Sequence, residues 1–282
     1  MGILIPSAYK NIIALQLLLQ GDFFVIVYEV NLHKFFPDFM TKELPILEVC
    51  LSPALLHLYD TRGKIVVIID VFRATSTIAA ALHNGAKAVL PVASVPECIE
   101  LGKQIENSIT AGERDGKVAE GLQYGNSPSE YPGSFIKDRT LVLTTTNGTR
   151  LLHMVQDADT IITGSFVNLS AVCDFLLQQG KSVLLGCAAW KDKFNLEDTL
   201  FAGAVATRLK HQYSINCDSA RAAMHLHEQA SARENYISFL KDSSHYKRLS
   251  AYGLEADMEY CATPDVHPVV PILKGRELLV HA

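Results

Sequence analysis

Residues 64–70 read KIVVIID, five β-branched residues in succession with no polar position between them. A strand with one face in water alternates polar and apolar side chains. An unbroken apolar run fits a strand covered on both faces, as in a parallel sheet. The next segment, ATSTIAAALHNG (74–85), is alanine-rich and ends on glycine, a helix with its stop signal. KAVLPV (87–92) then reads as a strand and VPECIELGKQIEN (95–107) as a helix. The alternation continues through strand TLVLTT (140–145), a helix over 148–155, strand TIITGS (160–165) and a helix over 167–179. Strand SVLLGCA (182–188) and a helix over about 196–211 complete it.

Upstream, LPILEVCLSP (44–53) supplies a first strand; beyond Asp218 the chain turns helical and charged, and its tail, CATPDVHPVVPILKGRELLV (261–280), reads as strand and loop. Strands alternating with helices predict an α/β fold in three layers, a mainly parallel or mixed sheet with helices on both faces. No linker or short-period repeat interrupts the alternation. One compact domain over 46–282 is expected, with room inside it for two similar α/β subdomains.

The chain has 282 residues and a formal net charge of −5, which argues against a nucleic-acid binder needing a basic face. Its six cysteines are scattered without a CxxC pair, as expected of reduced, buried thiols in a cytoplasmic protein. The first 45 residues are apolar but broken by Pro6, Lys10 and QGD (20–22), too interrupted to span a membrane and without the charged start of a signal peptide. They read as an extension ahead of the domain, with Met40 as an alternative start. Nothing here requires a membrane, and a homo-oligomer is left open.

In open parallel sheets ligands bind beyond the carboxyl ends of the strands. The chain's polar residues cluster there. Strand 64–70 is followed by Asp70, Arg73, Thr75, Ser76 and Thr77; AGERDG (111–116) brings Glu113 and Arg114, and the loop GLQYGNSPSEY (121–131) brings Asn126 and Ser127. Strand 140–145 leads into Thr145, Thr146, Asn147, Gly148 and Thr149, strand 160–165 into Ser165 and Asn168, and strand 182–188 towards Glu197 and Asp198. This mixture suits metal-assisted handling of a small anionic, phosphorylated substrate. Carboxylates would hold a hard cation such as Mg2+, and arginines and helix N-termini the phosphate oxygens.

Each residue also has a plainer reading. Asp70 could cap the following helix, Glu113 and Arg114 could be a surface pair, and Glu197–Asp198 suit a helix dipole without metal. Arg73 in a first helical turn opposes that dipole and so favours an anionic ligand. His225 and His227, two apart on a helix, face different ways. No Ser-His-Asp order or phosphate-loop motif stands out. Where phospho-aspartyl phosphatases carry a second aspartate, DVF (70–72) has Phe72.

Taken in order, EVCLSP, IIDVFRATSTIAAALHNGA, AGERDG, YGNSPSEY, LTTTNGTRLL, GSFVN and CAAWKDKFNLEDTLFAGA resemble the 2-phosphosulfolactate phosphatases from about Leu47 to Pro271. The resemblance implies Mg2+-dependent hydrolysis of 2-phosphosulfolactate to sulfolactate and phosphate, a step towards coenzyme M. On that basis Asp70, with Glu113 or Asp198, would hold Mg2+, and Arg73 and Arg114 would neutralise phosphate. Thr145, Asn147 and Ser127 would donate hydrogen bonds, with Thr75, Asn126, Gly148, Thr149 and Ser165 also facing substrate. A related small 2-phospho-acid, or silent anion binding, are the alternatives. The family usually has Gly where this chain has Ala189, so the added Cβ and the neighbouring Trp190 are expected either to narrow the pocket or to alter substrate preference, leaving the carboxylates untouched.

Overall fold

A computed structural model describes residues 12–19, 22–29, 43–114 and 116–281. The chain divides into two compact units, Met1–Leu44 and Pro45–Ala282. In the first, β1 (Ile12–Leu19) and β2 (Asp22–Glu29) form an antiparallel ladder from Ile12 opposite Glu29 to Leu19 opposite Asp22. Met40 lies outside the described residues.

The second unit holds one ten-stranded mixed sheet. Its strands are β3 (Leu47–Cys50), β4 (Ile65–Ile69), β5 (Ala88–Pro91), β6 (Ser108–Arg114), β7 (Lys117–Val118), β8 (Thr140–Thr144), β9 (Thr160–Gly164), β10 (Val183–Cys187), β11 (Pro271–Lys274) and β12 (Glu277–Val280). They lie in the order β3-β10-β4-β9-β11-β12-β5-β8-β6-β7. The helices between them are α1 (Ala74–His83), α2 (Val95–Gln104), α3 (Gly133–Ile136), α4 (Gly148–Met154), α5 (Leu169–Gln179) and α6 (Leu196–Leu209). Four more follow before the last two strands: α7 (Asp218–Ser231), α8 (Tyr236–Leu240), α9 (Ser244–Ser250) and α10 (Glu255–Cys261).

KIVVIID behaves as its composition predicts. All five residues of β4 are buried, and alternate ones enter different cores. Val67 and Ile69 pack with residues of α5, α6 and α10 on one face, whereas Val66 and Ile68 pack with Ile78, Leu82, Leu141 and Leu151 on the other. Each such side chain stabilises the fold by about 1.5–3 kcal/mol relative to exposure. The expected helix ends are also in place: α1 stops before Gly85 at φ 94°, and Ser94 caps α2 by accepting from the Glu97 amide at 3.3 Å.

The tail differs from a simple strand and loop. Gly275, at φ 61°, turns the chain between β11 and β12, and this hairpin occupies the middle of the sheet. Ile272 pairs antiparallel with Ile162 of β9 and Leu278 antiparallel with Val89 of β5. Three antiparallel steps therefore separate the parallel group β3-β10-β4-β9 from the parallel group β5-β8-β6. The two groups run in opposite directions, and the carboxyl ends of both are brought together. Contact between them is close: a Cβ on Gly148, after β8, would lie 2.7 Å from Oδ2 of Asp70, after β4. Only glycine lets α4 begin there.

Candidate active site

The facing carboxyl ends enclose a small pocket of about 40 Å3, lined by Asp70, Phe72, Arg73, Glu113, Gly116, Asn126, Thr146, Asn147, Trp190, His245, Arg248 and Leu249. A roomier cleft of about 630 Å3 opens between α8 and the end of α10, but its charged residues, such as Arg233, Lys241 and Glu259, are exposed. Buried titratable groups converge on the small pocket, which makes it the site where chemistry is concentrated.

Asp70 leaves β4 with its backbone held from both sides by Thr75. The Thr75 hydroxyl donates to the Asp70 carbonyl at 2.8 Å and accepts from its amide at 3.1 Å. Thr75 thus supports the loop and is not among the residues lining the pocket. Burial pushes the Asp70 carboxyl up to about 7; His245 pulls it down, and the Glu113 and Glu197 carboxylates raise it further. Glu113 enters from β6, with Oε1 accepting from the amide and hydroxyl of Thr146 at 3.0 and 2.9 Å, and Oε2 from the Gly116 amide at 3.0 Å. The LTTTNGT turn therefore locks one carboxylate while making room for the other.

Asp198 occupies a different place. Its Oδ1 accepts from the Val71 amide at 2.8 Å and its Oδ2 from the Ala189 amide at 3.2 Å. It ties the loop after β4 to the loop after β10, outside the pocket lining. Burial, then the charges of Glu197 and Asp70, hold its carboxyl well above the usual range. Among the described residues, no group of three or more His, Cys, Asp or Glu side chains is arranged to hold a metal ion.

Arg73 lines the pocket, yet its charge has a structural answer that the sequence did not reveal. Its guanidinium pairs with buried Asp257 of α10, whose other oxygen accepts from the Ser127 hydroxyl at 2.6 Å. Arg114 turns back along its own strand, donating to the Glu113 carbonyl at 2.6 Å and to the Thr144 hydroxyl at 3.2 Å. It does not line the pocket. Thr145 and Thr149 cap α4 reciprocally: the Thr145 hydroxyl accepts from the Thr149 amide at 3.3 Å, and the Thr149 hydroxyl donates to the Thr145 carbonyl at 2.9 Å. Asn147 is left to face the pocket, its Oδ1 accepting from the Lys191 amide at 3.3 Å. Ser165 is buried at the end of β9, away from the pocket lining, and its amide donates to Asn168 Oδ1.

Ala189 is buried and also stands outside the pocket lining, so its Cβ does not narrow the site. Its effect falls on the backbone, since it sits at φ 58°, a left-handed conformation that favours glycine. Trp190 does line the pocket, with the Arg248 guanidinium 3.8 Å above its ring and the Lys191 ammonium 4.8 Å from the ring centre. The remaining wall was not foreseen. Nδ1 of His245, from α9, lies 2.5 Å from Oε1 of fully buried Glu197. Of this wall only Glu197 carried a signal, as a carboxylate in the first turn of a helix after a strand.

The family described as 2-phosphosulpholactate phosphatase matches residues 50–276. This chain belongs to that family. Three relatives, each named a probable 2-phosphosulfolactate phosphatase, are similar over most of their length. The protein of Thermotoga petrophila is 44% identical over 73% of this chain and 88% of its own. That of Caldanaerobacter subterraneus subsp. tengcongensis is 38% identical over 77% and 90%, and that of Clostridium perfringens 33% identical over 82% and 95%. Membership makes this chain a phosphoric monoester hydrolase of the 2-phosphosulfolactate phosphatase type, acting on a small phosphorylated substrate. Among the described residues, no helix is long and apolar enough to cross a membrane.

Proposed function

We propose that this protein hydrolyses 2-phosphosulfolactate to sulfolactate and inorganic phosphate with the help of Mg2+, as a cytoplasmic step towards coenzyme M. The observation that carries the reading is the pocket itself, where Asp70 and Glu113 meet Arg73 and Arg248 between two sets of strand ends. Carboxylates and guanidiniums in one small volume suit a cation and a polyanion bound together.

The donor set fits Mg2+. It consists of hard oxygens: a buried carboxylate raised by its surroundings, a second carboxylate, and Asn126 Oδ1, which is buried without a hydrogen-bond partner. Mg2+ commonly takes only one or two carboxylates and completes its shell with water and substrate phosphate. Asp70 and Glu113 would hold it, with the Asn126 oxygen beside them. When bound, the cation would supply Lewis-acid polarisation of the phosphoryl group. Asp198, engaged by two backbone amides, acts as a positioning residue that fixes the loop bearing Asp70.

Arg73, held in place by Asp257, and Arg248, stacked on Trp190, present positive charge to the anionic substrate. Preorganised charge of this kind stabilises the transition state without reorganisation at the moment of reaction. Direct attack by Asp70, forming an acyl phosphate, is a second chemical route open to a buried carboxylate. Rapid-quench trapping of a phosphoenzyme separates the two.

The test is phosphate release from 2-phosphosulfolactate, 2-phospholactate and phosphoglycolate, with Mg2+ and with chelator. Release fastest from 2-phosphosulfolactate and dependent on Mg2+ is expected. Preference for another 2-phospho-acid moves the substrate assignment, with Trp190 in the pocket wall the first side chain to vary. No release from any of them leaves only a silent anion binder.

A further inference from the structure

We infer that His245, oriented by Glu197, donates the proton to the leaving oxygen of the phosphate ester; the inference rests on the phosphatase reading above. Three observations converge on it. Glu197 is fully buried in the first turn of α6, and the ion pair it makes is with His245, which is itself 7% exposed. An ionised carboxylate only accepts hydrogen bonds, so Nδ1 of His245 donates to it. Nε2 is then the ring nitrogen left for the pocket that His245 lines. The ring is further fixed by Phe72, edge-on at 6.0 Å.

The chemistry requires such a group. Hydrolysis of a 2-phospho-acid breaks a phosphorus–oxygen bond, and its electron pair goes to an aliphatic oxygen that leaves poorly as an alkoxide. Among the other pocket residues, the arginines hold their protons and the amides and indole do not titrate in water. Asp70 and Glu113 are assigned to the cation. In the step proposed, the attacking water forms the new bond to phosphorus, keeps one proton as a hydroxyl of the product phosphate and releases the other to solvent. The leaving oxygen takes the proton from Nε2, and the imidazole recovers one from solvent. Glu197, which touches the imidazole and does not line the pocket, is a positioning residue that fixes the orientation of the ring. This is the arrangement by which a carboxylate orients a catalytic histidine.

Leaving-group dependence tests the inference. On 2-phosphosulfolactate, His245→Asn is expected to lower kcat about 100-fold or more, the size typical of lost acid catalysis. On p-nitrophenyl phosphate, whose leaving group needs no proton, the same variant should lose less than about 5-fold. Glu197→Gln should show the same pattern, weakened to about 10-fold on the alkyl ester. Equal losses on both esters would overturn the inference while leaving the phosphatase reading intact. A wild-type protein inactive on both overturns the two together. Should the variants not fold, the wild-type protein decides: with its acid intact, kcat varies little across aryl and alkyl phosphates, and a steep dependence on leaving group refutes the assignment.

Discussion

The two walls of the pocket are built on different principles. One is made of strand ends: Asp70 after β4, Glu113 at the carboxyl end of β6, and Asn147 after β8. The other is made of short helices: α9 contributes His245 and Arg248, and behind the lining α10 supplies Asp257, the partner of Arg73. In the first wall, the parallel sheet dictates position, because whatever residue follows a strand emerges at its carboxyl edge. In the second, α9 has only seven residues, and tertiary packing decides which of them turns inward. In the proposed reading, the strand wall carries the carboxylates that would hold the cation, and the helical wall carries Arg248, facing the anion, and His245, the proposed acid.

The largest expected effect lies on the strand wall. Asp70→Asn should lower turnover by at least about 1,000-fold whether Asp70 holds the cation or attacks phosphorus. The same variant reads out burial. Burial raises the folded carboxyl to about 7 from its ordinary value of 3.8, so the folded state binds the proton more tightly. Wild-type stability is therefore fully present below the unfolded value and falls as pH rises through the folded one. In chelator, thermal unfolding should show Asp70→Asn gaining on wild type between pH 4 and 7. A gap that does not change with pH would mean that Asp70 is not buried as described.

A middle effect lies on the helical wall. Asp257→Ala leaves the Arg73 guanidinium buried without its counter-ion and frees Ser127, and should cost about 3–5 kcal/mol in urea unfolding. A loss under about 1 kcal/mol would show that the helical wall is not held by this pair, and would erase the contrast between the walls.

The smallest effect lies where the walls join. Ala189→Gly relieves a left-handed alanine and should stabilise the fold by about 0.5–1 kcal/mol, less than the full αL penalty because glycine also gains freedom when unfolded. Since Ala189 does not line the pocket, kcat should not move; a changed kcat would show that the loop after β10 takes part in catalysis.

The same contrast explains what the sequence could reveal. The β-branched run at 64–70, the glycine-stopped helix after it and the hydroxyl-rich turn at 144–149 each carry a local physical signature, and the strand wall could be read from them. Arg73 can be singled out from the sequence, and it lines the pocket, but its partner lies 184 residues away on a helix with no motif. Arg114 follows Glu113 immediately, yet consecutive strand residues point to opposite faces, so only one of the two can enter the pocket. His245 gave no signal because a lone histidine on an amphipathic segment looks the same packed or catalytic. Asp198 was legible as a carboxylate near the site, but its engagement by two distant amides was not.

The hairpin of β11 and β12 has a consequence in time. A ribosome delivers the chain from its amino end, so β4, β9, β5 and β8 all emerge well before residues 271–280, the strands that join their two groups. Until that hairpin arrives, the nascent chain holds two half-sheets with open edges and no shared register, the kind of exposed edge that invites wrong pairing. The last strands made are the ones that turn two separate pieces into one molecule.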